Sequence, residues 1–314
     1  MKKYCEKHPE QELNSSIKEY CPICEGFFSG HGFPDMKRCP FRWKMQKEDR
    51  RNPGRAFPLV KGKTSHYFAE VFNRSLNKIP KNKFEPLLFE IFNSYQNFRE
   101  YNVILLDENI IKSTERELYS FYLFKKELFE SFYEADKLTN MIPLVVEEWL
   151  YIPFDKKQYN IALKEGVKRW TKIGLHNVLD EVFLDIDDQA ICIDYKSYPR
   201  KKSREIGPIR STEKKYQLIT AMLTFEYNYR MDVKFVANVE LGSSDFPNVQ
   251  FYKPTTRGLL YYKKALLEAY KNLMTENFYP KYEKRSCIAW CPYKDICPHP
   301  EIKKYREFKV INLM

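Results

Sequence analysis

The stretch that most constrains this chain is Ala190-Ile191-Cys192-Ile193-Asp194-Tyr195-Lys196. Its apolar run reads as a buried core strand. Asp194 and Lys196 follow with one residue between them, and side chains two apart on a strand project to the same face. A carboxylate and an ammonium therefore leave the end of a core strand together. They form either an ion pair that caps the strand or two parts of one reactive site.

The flanking sequence supplies a sheet for that strand. LVVEEWLYI reads as an earlier strand, and VLDEVFLDI as the strand just before, joined to AICIDYKSY by the acidic turn Asp185-Ile186-Asp187-Asp188. Residues 211–229 carry helical periodicity, with Ser211 or Thr212 as N-cap. VKFVANVEL is a further strand and TTRGLLYYKKALLEAYKNLM a further helix. Upstream, residues 63–135 repeat apolar positions at helical spacing, as in HYFAEVFNRSL and LYSFYLFKKELFESFY. Pro53, Gly54 and Pro58 interrupt the chain before that region. The order of elements predicts a mixed α/β core with a helical elaboration beside it.

If the two strands around residues 185–188 pair as a hairpin, Asp180 approaches Asp194. Adjacent carboxylates repel unless a positive charge lies between them, and hard oxygen donors suit Mg²⁺ or Mn²⁺. Lys196 would then offset charge developing on a phosphate, and Gln217 on the following helix would orient it or a water. Taken alone, D-x-K is common by chance and fits an ordinary surface hairpin. The acid on the preceding strand, the buried run and the helix bearing glutamine follow in the expected order.

This pattern resembles the PD-(D/E)XK nuclease superfamily, especially its RecB-like exonuclease branch. Gly62-Lys63-Thr64-Ser65-His66 fits the G-x-x-x-H motif of that branch. The resemblance implies that His66, Asp180, Asp194 and the Tyr195 carbonyl hold the divalent ion, that Lys196 is the catalytic lysine, and that Gln217 belongs to the C-terminal helix motif. One departure is visible. The branch commonly carries Gly three residues before its first acid, where this chain has Asn177, with Gly174 earlier. Glu181 would face the opposite side, and Glu147 and Glu148 would stand behind the ligands. The Gly62-Lys63-Thr64 run also imitates the end of a phosphate-binding loop, but Phe57 stands where that loop needs glycine, which excludes ATP binding by this motif.

The eight cysteines fall into groups. Clustered cysteines in a reducing compartment read as metal ligands before disulfides. Cys287, Cys291 and Cys297 lie close together, and a four-thiolate site needs one more ligand, for which Cys39 is the candidate. One cysteine near the start of the nuclease region and three at its end resembles the iron–sulfur RecB-like exonucleases, among them AddB and the CRISPR-associated Cas-four type. That resemblance implies a [4Fe–4S] cluster stapling the chain ends, and zinc on the same ligands is the alternative. Cys5, His8, Cys21 and Cys24 have the paired spacing of a tetrahedral Zn²⁺ knuckle. Cys192, inside the apolar strand, reads as a small core residue.

The expected architecture is thus α/β: a mixed central sheet of the restriction-endonuclease-like type, with a helical insertion, the iron–sulfur staple and the knuckle. Residues 1–30 form a zinc-knuckle-like element and residues 31–314 the nuclease domain, with its helical region over about 63–140 and its iron–sulfur segment over 285–300. The net charge of +11 suits a polyanionic partner, with Arg38, Arg42, Lys44, Arg50 and Arg51 as candidate phosphate contacts. No run approaches the ~20 apolar residues of a membrane span. The opening MKKYCEKHPEQE carries charges where an export signal is apolar, so the expected location is cytoplasmic. The expected activity is exonucleolytic hydrolysis of single-stranded DNA or DNA ends, in CRISPR adaptation or in repair and recombination, alongside protein partners of such a complex. Rivals are an RNA nuclease and a non-catalytic nucleic-acid-binding or assembly subunit.

Overall fold

Strand β5 (Ile173–Leu184) organises the sheet, because three other strands use its two edges. The computed structural model describes residues 4–5, 8–12, 26–29, 36–48, 66, 69–76, 78, 83, 86, 108–155, 173–196, 212–241, 247–284, 287–288 and 291–304. In chain order its elements are β1 (Tyr4–Cys5), β2 (His8–Glu12), β3 (Gly26–Ser29), α1 (Pro40–Glu48), α2 (Glu108–Glu134), β4 (Val145–Pro153), β5, β6 (Ala190–Lys196), α3 (Thr212–Tyr229), β7 (Val233–Glu240), β8 (Asn248–Tyr252) and α4 (Thr256–Met274). Residues 69–76 are also helical.

The main sheet has six strands, in the order β3-β5-β6-β7-β8 with β4 on the other edge of β5. β4 runs antiparallel to β5 along residues 174–182. The opposite edge of β5 is divided: β3 pairs with it in parallel at 173–176, and β6 antiparallel at 181–184. Between those pairings, residues 177–180 face a fork where β3 and β6 part. β6 runs parallel to β7, connected through α3, as parallel neighbours require a crossover.

Alternation on β6 explains its continuous apolar run. Ile191, Ile193 and Tyr195 pack beneath α2 with Phe121 and Phe124, whereas Ala190 and Cys192 pack beneath α3 with Leu218, Ala221 and Phe225. The sheet is covered on both faces, and each buried Leu or Phe on these helices contributes roughly 1.5–3 kcal/mol. Asp194 and Lys196 continue the α3-facing parity, so strand geometry alone delivers them to one side. Helix α4 starts where the Thr255 hydroxyl accepts the Gly258 N–H at 3.1 Å, a side-chain N-cap.

The acidic turn is built for shape. The Asp185 carboxylate accepts the N–H groups of Asp187 and Gln189, both at 2.9 Å, and Lys234 spans Asp185 and Asp187. Asp188, with φ of 60°, takes the left-handed position that an Asp tolerates, and it pairs with Lys137.

Residues 26–29, which by sequence fall in the N-terminal element, form a strand of the main sheet. Trp43 of α1 then packs between Phe28 and Phe278, with ring centroids at 5.3 and 6.3 Å. In the small β1–β2 ladder, Cys5 and His8 are backbone partners. The side chains of Cys5 and His8, and the whole of Cys21 and Cys24, lie outside the described residues, as do Gly62–Ser65, Arg50 and Arg51.

Candidate active site

The fork beside residues 177–180 is filled by side chains from four elements. Asp180 of β5 uses one carboxylate oxygen to accept the Tyr195 N–H of β6 at 2.7 Å. Its other oxygen lies 3.3 Å from His66 Nδ1. The same nitrogen is 3.4 Å from Glu147 of β4, and His66 Nε2 donates to the Tyr195 carbonyl at 3.1 Å. His66 thus touches both carboxylates and the Tyr195 carbonyl. Burial opposes its protonation, but the Asp180 and Glu147 carboxylates override that effect and push its pKa up to about 11. The half-buried ring therefore holds a cation's place among three oxygen atoms.

On the β6 side, Asp194 Oδ1 accepts from Lys196 Nζ at 2.7 Å and from the Gln217 amide of α3 at 3.3 Å. Its second oxygen, Oδ2, is buried with no hydrogen-bond partner among the described residues. Burial raises the Asp194 carboxyl, the Lys196 ammonium lowers it again, and the nearby Asp180 charge raises it. An orphaned carboxylate oxygen beside a second carboxylate is an electrostatic deficit that a divalent cation would remove. Among the described residues, His66, Glu147 and Asp180 offer donor atoms within 4.8 Å of one another. The donor set, two or three carboxylates with an imidazole and a carbonyl, fits Mg²⁺ or Mn²⁺.

The structure brings His66, Asp180, Asp194, Tyr195, Lys196 and Gln217 together. Glu147 enters more directly than its sequence suggests. It lies between the register pairs Val146–Glu181 and Glu148–Leu179, hence opposite Asp180. Its φ of 47° is unusual for a glutamate inside a strand, a local strain of the kind that gathers at functional sites. An acid on a strand one place from Asp180 in the ladder was the only available signal, and the backbone twist has none. Glu148 instead accepts the Tyr229 hydroxyl at 2.6 Å. Glu181, as alternation requires, points through the sheet, where it meets Lys125 at 2.5 Å.

The cysteines gather at a second place. Burial raises the Cys291 thiol, the Tyr293 N–H and the Arg42 charge lower it, and the neighbouring Cys287 and Cys39 sulfurs raise it further. Cys39 and Cys287 are therefore each electrostatic neighbours of Cys291, and Cys297 lies buried in the same C-terminal segment. Arg42 serves this cluster, and Lys44 lies over the Phe278 ring at 5.3 Å. Cys192 is buried in the core, which raises its thiol far above the ordinary range.

A divided mixed sheet with acids, a lysine and a glutamine at its fork defines a nuclease-like site. The chain matches the family model described as the PD-(D/E)XK nuclease superfamily over residues 32–298 and belongs to that superfamily. Members of it are generally phosphodiester hydrolases that use Mg²⁺ or Mn²⁺ at an acidic cluster. Among solved structures, the chain is similar to the one titled "Crystal structure of SSO0001", at 12% identity and a TM-score of 0.37, covering 90% of this chain and 89% of that one. No curated protein matches it. Among the described residues, no helix is long and apolar enough to cross a membrane.

Proposed function

We propose that this protein is a metal-dependent exodeoxyribonuclease of the RecB-like iron–sulfur type, acting on single-stranded DNA or DNA ends. The observation that carries this reading is the meeting of His66, Asp180, Asp194 and Lys196 at the fork, with the inner oxygen of Asp194 left without a partner. His66, Glu147, Asp180, Asp194 and the Tyr195 carbonyl would hold the divalent ion, which when bound polarises the phosphate and lowers the pKa of water. Asp194 and Gln217 aim the chain's own machinery: the Asp194 carboxylate fixes the Lys196 ammonium at 2.7 Å, and Gln217 fixes Asp194. Lys196 then stabilises the charge that gathers on the phosphate oxygens as the bond to the leaving oxygen lengthens. The net charge of +11 favours encounter with a polyanion. CRISPR adaptation and recombinational repair are the settings we assign to such an enzyme, in the cytoplasm.

The test is direct. Purified protein with Mn²⁺ is expected to shorten end-labelled single-stranded DNA, to spare covalently closed circles, and to stop on chelation. Cleavage of closed circles would make it an endonuclease, preference for matched RNA would shift the substrate class, and inertness on all three would favour the non-catalytic reading.

Cys39, Cys287, Cys291 and Cys297 are proposed to hold a [4Fe–4S] cluster, since thiolates are soft donors and Cys291 feels the charge of both Cys287 and the distant Cys39. Anaerobically purified protein is expected to absorb broadly near ~400 nm, the band of thiolate-bound iron. Colourless protein carrying one zinc on these ligands would replace the cluster by a zinc site.

A further inference from the structure

Tyr195 is held at three points. Its backbone N–H goes to Asp180 at 2.7 Å and its carbonyl faces His66 at 3.1 Å, both within the site. Its side chain turns the other way through the sheet. There its hydroxyl donates to Glu181 at 2.5 Å, and Asn73 donates to the same carboxylate oxygen at 2.8 Å. The other oxygen of Glu181 accepts from Lys125 at 2.5 Å. Asp180 and Glu181 are consecutive, so one turn of strand alternation puts a carboxylate on each face, and both grip the same tyrosine. Aromatic rings seal the rear network: Lys125 Nζ lies 5.6 Å from the Phe121 centroid, and Phe121 meets the Tyr195 ring edge-on at 5.5 Å.

We infer that the Lys125–Glu181–Tyr195 network is a positioning device, which fixes the Tyr195 peptide so that its carbonyl and the Asp180 carboxylate stand at metal-binding separation. The inference rests on the metal-site reading above. Past residues 181 and 193 the β5–β6 ladder has no further register pair, so at the fork β6 is paired through β7 on one edge, and on its β5 edge it is held by side chains. The phenol hydroxyl is the anchor on the far side. Without it, the Tyr195 ring keeps its packing but loses the directional bond that sets the rotation of the strand end. Tyr195, Glu181 and Lys125 act through the ligands and touch no substrate.

The test is isothermal titration of Mn²⁺ alone into the full chain. Tyr195→Phe is expected to weaken Mn²⁺ binding about 10-fold or more, the usual effect of losing a group that orients metal ligands. Leu273→Val, a core change in α4 away from the site, is expected to leave Mn²⁺ affinity unchanged at a similar loss of thermal stability. Wild-type affinity in Tyr195→Phe would overturn the positioning role, as would equal weakening in both variants, which would mark a general stability effect. Wild-type protein with no saturable Mn²⁺ site would overturn the metal-site reading itself, and the positioning role with it. If Tyr195→Phe does not fold, Asn73→Ala is measured in its place, with several-fold weaker binding expected and unchanged binding counting against the device.

Discussion

Replacing Lys196 by alanine is expected to slow Mn²⁺-dependent cleavage of single-stranded DNA by roughly 10²–10³-fold while the protein stays folded, the loss typical of removing one preorganised charge from a transition state. Two effects combine in this variant. The ammonium no longer meets the phosphate, and Asp194 loses the stronger of the two cations, Lys196 and His66, that lower its carboxyl against burial and the Asp180 charge. Asp194 then holds its proton to higher pH, so the variant also needs more Mn²⁺, and part of that requirement is relieved as pH rises. Lys196 is mostly buried and its stem ends a strand, so the change leaves a small void at the fork and not in the core. Lys196→Arg keeps the charge but is a broader, planar group that cannot take the same place against Asp194. The measurement is single-turnover digestion under excess enzyme, at several Mn²⁺ concentrations, with circular dichroism as the folding control. A rate within a few-fold of wild type would remove Lys196 from the mechanism.

Lys125→Ala is expected to cost about 3–5 kcal/mol of stability, because it leaves the Glu181 carboxylate buried without its cation. Both partners are 1% exposed, so water cannot replace what is lost. A domain has on the order of 5–15 kcal/mol in total, and the variant would melt far below wild type or fail to accumulate. The same physics gives a sharper result. A triple change, Lys125→Met with Glu181→Leu and Tyr195→Phe, removes every member that would otherwise be stranded and is expected to recover most of the lost stability. Its Mn²⁺ affinity is not expected to recover, since the Tyr195 side chain then has no polar anchor behind the sheet. Urea unfolding of the single and triple variants separates these quantities. A Lys125→Ala protein that unfolds at the wild-type midpoint would mean that the pair is not the buried anchor described.

What was legible in the sequence was local. The run into Asp194 and Lys196, the turn at 185–188 and the helix bearing Gln217 lie within a short span, where period and parity fix faces. Asp180 followed from hairpin pairing alone. Lys125 could not be found this way, since it is one of 53 basic residues and sits on an amphipathic helix whose register against β5 leaves no mark in sequence. Glu147 was visible as an acid in the right strand, but its left-handed backbone, which accompanies its place beside His66, has no local signature. β3 is four residues long and pairs with a strand far along the chain, and β8 is a short edge strand. Such elements are decided by the partner they meet rather than by their own composition.

The placement of β3 and α1 bears on how this protein can be dissected. Because Gly26–Ser29 completes one edge of the central strand and Trp43 is wedged against Phe278, the leading segment is mortar between the oldest and youngest parts of the polypeptide. A gene cut to begin after residue 48 would therefore strip a sheet margin bare and unseat the carboxyl-terminal arm, yielding a sticky remnant in place of a smaller enzyme.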